Sequence, residues 1–188
     1  MKTNVLWKGR EYFSLENCLV ATSREGTSVS SAIVGRYNDK IYKIDYHIVT
    51  NLDWETTSVD INVLCNGRDW RIQFESDGNG EWKSSGKKQE RFAGCIDVDI
   101  PLTPFTNTLP IRRLGLTPGQ SQEISVIYLD LLEHDIYPVR QKYTRVSQTL
   151  YHYENIPNDF EADIQVDDLG LVVDYPLLFE RVTEVQVQ

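Results

Sequence analysis

Asp97 and Asp99 in CIDVDI, separated by one residue, are the most suggestive titratable pair in this sequence. Alternate residues of an extended strand share a face, so two carboxylates sit side by side there. Such a pair can chelate a cation or divide acid and base work. The same spacing also fits aspartates on the wet face of a strand, and no third ligand or base stands beside them. The histidines His47, His134 and His152 are far apart and form no HxH or HExxH spacing. Cys95 has no neighbouring base or positive group to lower its pKa. There is no GxSxG elbow, phosphate-cradling glycine loop or dinucleotide fingerprint. The residues favour binding over catalysis, with no metal and no cofactor expected.

The candidates for binding are of other types. Ten tyrosines stand beside Trp54, Trp70 and Trp82, and such amphipathic rings suit both sugar stacking and acyl-chain cavities. Cross-strand packing uses the same rings. Trp54, among polar residues in NLDWETTSVD, is the best surface candidate. Arg112 and Arg113 follow an apolar run; two guanidinium groups inside a protein need partners. Asp97, Asp99 and Asp174 are available to them, as is a ligand's polar head group. Leu109, in the same run, is a candidate for the apolar wall of a cavity.

The elements that must position these residues are mostly strands. In YKIDYHI, Tyr42, Ile44, Tyr46 and Ile48 share one face; VDINV gives Val59, Ile61 and Val63; WRIQFE gives Trp70, Ile72 and Phe74; CIDVDI gives Ile96, Val98 and Ile100. DGNG at 77–80 predicts a tight hairpin. EISVIYLDLL is apolar on both faces and is expected to be covered on both sides. The later strand candidates are RQKYTRVSQTLYHYE, ADIQV, LVVDY and RVTEVQVQ.

One stretch, DIPLTPFTNTLPIRRLGL, breaks this pattern. Thr106, Asn107 or Thr108 can cap a helix over about 106–115, with Pro110 in its first turn and Gly115 as its stop. Its apolar residues lie nearly all round, so the helix is expected to be buried. Many one-sided strands and a single helix pack most simply as a many-stranded antiparallel sheet rolled around that helix. The chain is read as one domain, 1–188.

Composition narrows the partners. With 19 basic and 28 acidic residues the net charge is −9, which disfavours nucleic acid and anionic membrane surfaces. No stretch approaches the roughly 20 apolar residues of a membrane span. The N-terminal residues lack the pattern of a signal peptide, and Cys18, Cys65 and Cys95 are odd in number and dispersed. A cytoplasmic protein with reduced thiols is expected.

CIDVDIPLTPFTNTLPIRRLGL, together with DGNGEW at 77–82, RFAGCIDVDI and VDDLGLVVDYPLLFER at 166–181, resembles a bacterial family described as glycolipid-binding, formerly a domain of unknown function. The resemblance runs over nearly the whole chain. Leu177 departs from it, standing where the pattern DYPGLF has glycine. The resemblance implies a spiral β-roll wrapped around one helix, assembled as a homodimer.

Three functions follow. A non-catalytic carrier or sensor would hold an amphipathic glycolipid or lipid, using Trp54, Leu109, Arg112, Arg113, Asp97 and Asp99. A structural or interaction protein would fill the roll with its own side chains and act through its homodimer surface. A hydrolase or metal enzyme would require the aspartates and a histidine to converge.

Overall fold

The computed structural model describes residues 1–187. Eight strands follow one another as an antiparallel meander: β1 (Lys2–Gly9), β2 (Ser14–Thr22), β3 (Thr27–Tyr37), β4 (Lys40–Thr50), β5 (Thr56–Cys65), β6 (Arg68–Ser76), β7 (Trp82–Ser84) and β8 (Lys87–Lys88). A 3-10 turn at Glu90–Phe92 leads to β9 (Asp97–Asp99) and then to the helix α1 (Phe105–Leu114). A second meander completes the chain: β10 (Ser121–Asp130), β11 (Asp135–Arg145), β12 (Leu150–Ile156), β13 (Glu161–Val166), β14 (Val172–Tyr175) and β15 (Phe179–Val187). Because β15 pairs with β1, all fifteen strands form one sheet, which runs from β8 through β1 and β15 to β9.

The alternation that predicted the strands also decides which face turns inward. Along β4, Tyr42, Ile44, Tyr46 and Ile48 are buried, while Lys43 and His47 are exposed. Val59, Ile61 and Val63 of β5 and Ile72 and Phe74 of β6 continue the same inner face. The 77–80 stretch closes the β6–β7 hairpin, as its glycines predict. In β10 the adjacent residues Val126 and Ile127 are both buried, so this strand is covered on both sides.

α1 fills the roll. Its residues Phe105 to Ile111 are all buried. Phe105 and Leu109 pack with the first meander, and Ile111 packs with Tyr143, Tyr151, Ile164 and Val172 of the second. Burying a side chain such as Leu109 contributes about 1.5–3 kcal/mol, and the helix does this towards both halves of the sheet.

Three expectations are corrected. The helix starts at Phe105, and Pro104, not one of the three polar residues that follow, occupies its N-cap. The side chain that serves the helix start comes from upstream, where Thr103 Oγ1 accepts the Phe105 N–H at 3.0 Å. Thr106, Asn107 and Thr108 are consumed by tertiary bonds instead. The sheet is not wholly antiparallel, because β9 pairs with β10 in parallel. The chain must pass through the helix between those two strands, and such a crossover returns it in the same direction. Finally, Asp97 and Asp99 do not lie on a wet face. Their side of β9 meets the helix, and Asp97 is fully buried.

After the first meander the chain is pinned back onto β7. Trp82 Nε1 donates to the Cys95 carbonyl at 2.6 Å, and Gly94 N donates to the Gly80 carbonyl at 3.0 Å. Gly80 has φ +88°, and a Cβ there would lie 2.9 Å from the Gly94 Cα, so this contact requires glycine. Elsewhere His134, in the β10–β11 turn, stacks on Trp70 at 5.0 Å between ring centroids.

Candidate functional site

Where the chain leaves β9 for the helix, the sheet opens into a crevice of about 250 Å3. The roll brings together residues remote in sequence. Asp99 comes from β9, Thr103 and Asn107 from the approach to α1 and its first turn, and Tyr12 from the β1–β2 turn. Tyr128, Tyr153 and Tyr175 come from β10, β12 and β14, and Phe160 and Phe179 complete the wall. The rings form a connected lining: Tyr12–Phe179, Tyr175–Phe179, Tyr153–Tyr175 and Tyr153–Phe160 centroids lie 6.0, 6.3, 6.4 and 6.1 Å apart.

Besides the exposed Glu11, the acid lining this crevice is Asp99. Gln141 Nε2 donates to its Oδ2 at 2.6 Å, and the Thr106 hydroxyl donates to its Oδ1 at 3.2 Å. Burial raises its pKa above the ordinary carboxylate range, against those two donors. Burial, the largest cause in each case, pushes up the phenols of Tyr12, Tyr128, Tyr153 and Tyr175; the Asp99 carboxylate adds to this, behind Glu11 at Tyr12. The phenols therefore remain protonated and able to donate. Aromatic faces beside a carboxylate and an amide offer ring stacking and directional hydroxyl recognition at one place.

A second buried acid stands behind the crevice. Glu16 of β2 is 2% exposed. Its Oε1 accepts from Ser31, Tyr46 and Thr103 hydroxyls at 2.7, 2.7 and 2.9 Å, while its Oε2 has no hydrogen-bond partner among the described residues. Burial, the dominant cause, raises its pKa from 4.5 to about 7, against these three donors. Thr103 thus ties the crevice wall and the helix N-terminus to β2, β3 and β4.

The other predicted site residues are divided. Arg113 forms a bidentate pair with Asp97, its Nη2 2.5 Å from Oδ2 and its Nε 3.2 Å from each oxygen. Burial holds the Asp97 carboxyl above its ordinary range even so. This pair fastens α1 to β9. Leu109 is fully buried in the core and lines none of the clefts described here. Arg112 is exposed at the opposite end of the helix, its guanidinium 5.2 Å from the centroid of the Trp54 ring. Trp54 is half-buried, with φ +64°. It packs inward against the core, where a free surface ring was expected. Of the six residues, only Asp99 therefore faces the aromatic crevice. The tyrosines around it, Tyr12, Tyr128, Tyr153 and Tyr175, were visible only as members of the ten in the chain, because their convergence depends on strand order.

A spiral β-roll wound on one helix, with an aromatic, carboxylate-bearing crevice at the helix N-terminus, defines the class of this protein by form. The chain belongs to the family described as "Putative glycolipid-binding", whose model matches residues 4–181. It is similar to a crystal structure of a DUF1089 family protein from Pseudomonas aeruginosa, with 33% sequence identity and a TM-score of 0.82. That match covers 89% of this chain and 92% of the other. No curated protein matches the chain. No helix among the described residues is long and apolar enough to cross a membrane.

Proposed function

We propose that this protein is a non-catalytic carrier or sensor that holds the sugar portion of a glycolipid in the Asp99 crevice. The observation carrying this reading is the convergence of six aromatic rings around Asp99, with Glu11 also in the lining. Sugars present CH-rich faces to rings and hydroxyls to acids and amides, so both halves of the lining have a use. At about 250 Å3 the crevice lies just below the roughly 300–1,000 Å3 of drug-sized pockets. That suits one sugar ring and leaves the acyl chains outside it. The family description supports the same ligand class. Three buried, unpaired cysteines suit a reducing, cytoplasmic setting.

The test is a fluorescence titration with octyl glucoside below its micellar concentration. Saturable binding is expected, weakened roughly tenfold by Asp99→Asn through loss of one charge-assisted hydrogen bond. Equal binding of n-octanol, or no effect of the substitution, would refute the reading.

A second reading rests on the outer face. Leu15, Val34, Ile41 and Leu64 are exposed there, and strand register places Leu15 opposite Val34 and both Val34 and Leu64 opposite Lys43. A homodimer formed through this patch would make the protein an interaction module. Sedimentation velocity on Val34→Lys tests it; an unchanged oligomeric state excludes this face.

A further inference from the structure

Of the helix's two arginines, only Arg113 has an acidic partner among the described residues. Among the described residues Arg112 pairs with no carboxylate, in a chain whose net charge is −9. It is nevertheless held in place. Its guanidinium lies over Trp54, and its stem crosses Gly170, where a Cβ would lie 2.8 Å from Arg112 Cδ. Gly170 has φ +75°, so both the backbone and the arginine require glycine at that point.

Arg112 forms the wall between two cavities. On one side is a mainly apolar pocket of about 90 Å3, with Val20, Trp54, Leu169 and Leu171 in its lining. On the other is a cleft of about 320 Å3 into which Arg145, Gln148 and Tyr151 also face. Arg145 is fixed by bonds to the carbonyls of Leu116, Ser147 and Gln148 at 2.6, 3.1 and 2.9 Å. Three of its five donors are engaged, and its charge has no carboxylate partner among the described residues. Both guanidinium groups bear on the Tyr151 phenol, lowering its pKa against a larger upward effect of burial. Two aspartates share the cleft. Asp167 pairs with Arg181 at 2.8 Å and accepts the Leu169 and Leu171 N–H groups, so its charge is already compensated. Asp168 is exposed.

We propose that Arg112 and Arg145 form an anion site that takes a phosphate group, with the apolar pocket beside Trp54 receiving the start of an alkyl chain. Planar, pre-positioned guanidinium forks match the oxygens of a phosphate. The adjoining apolar pocket gives a phosphate carrying a hydrocarbon chain an advantage over the free ion. The cleft shares no lining residue with the Asp99 crevice, so it stands or falls apart from the sugar reading.

Isothermal titration calorimetry of the full chain, with inorganic phosphate and with octyl phosphate below its micellar concentration, tests this. Saturable binding of octyl phosphate is expected. Arg112→Met, which keeps the apolar stem, should weaken it roughly tenfold or more. Arg112→Lys, which keeps the charge without the fork, should fall between. Tighter binding of octyl phosphate than of phosphate supports an amphiphilic ligand. Equal binding keeps the phosphate site but overturns the alkyl pocket and assigns the site to a water-soluble ester. The proposal is overturned if neither probe binds the wild-type protein, or if a folded Arg112→Met and Arg112→Lys bind as the wild type does. The octyl glucoside titration reports on the crevice separately.

Discussion

Replacing Glu16 by glutamine should flatten the pH dependence of stability between about pH 4.5 and 7. In the folded protein burial lifts this carboxyl from 4.5 to about 7, while in the unfolded chain it titrates near its ordinary value. Between those two points the folded state holds the extra proton. The free energy of unfolding therefore falls as pH rises through this window, and levels off above it. At about 1.4 kcal/mol per pH unit the full effect is about 3 kcal/mol, or roughly 6–12 °C in Tm for a chain of this size. Asp97 and Asp99 are also raised by burial and act in the same direction. The diagnostic quantity is thus the difference between wild type and Glu16→Gln. Glutamine places an amide N–H where Oε2 has no partner, a cost of about 1–3 kcal/mol that does not vary with pH. Urea denaturation in steps from pH 4.5 to 8 should show the variant gaining about 3 kcal/mol on the wild type across the range. Parallel profiles would show that Glu16 is not the group responsible.

Other perturbations test the scaffold. Arg113→Met leaves Asp97, fully buried, without its counter-ion and should destabilise the protein by about 3–5 kcal/mol in chemical denaturation. Replacing Asp97 by leucine in the same chain should recover much of that loss. Leu177 has φ +68° and is 80% exposed, so Leu177→Gly should raise stability by about 1 kcal/mol through relief of left-handed strain, read as a gain of a few degrees in Tm.

Most strands were legible because one face of each is buried and the other is wet, and side-chain burial repeats with the same period of two. The helix was legible from its clash with that pattern, and its end from Gly115, which adopts φ +54°. Its start was not legible, because Thr103 reaches back from outside the helix while the expected cap residues bond to Asp99, Tyr143 and the Gly170 carbonyl. Leu177 shows local pattern and geometry parting in another way. The family pattern has glycine there, and the turn keeps the left-handed conformation with leucine in it. The parallel β9–β10 pairing and the tyrosine-lined crevice were hidden for one shared reason. Both depend on which strands become neighbours across the roll, and no local spacing records this. Asp97 and Asp99 show the consequence: two carboxylates on one strand face, one consumed by Arg113 and the other left lining the crevice.

Native mass spectrometry of the protein isolated from its own cells, with solvent extraction of anything retained, decides whether the crevice holds the sugar of a glycolipid. One glycolipid per chain is expected, lost or much reduced in Asp99→Asn. A wild-type protein that carries nothing, and stays empty after incubation with a lipid extract of the same cells, would contradict it.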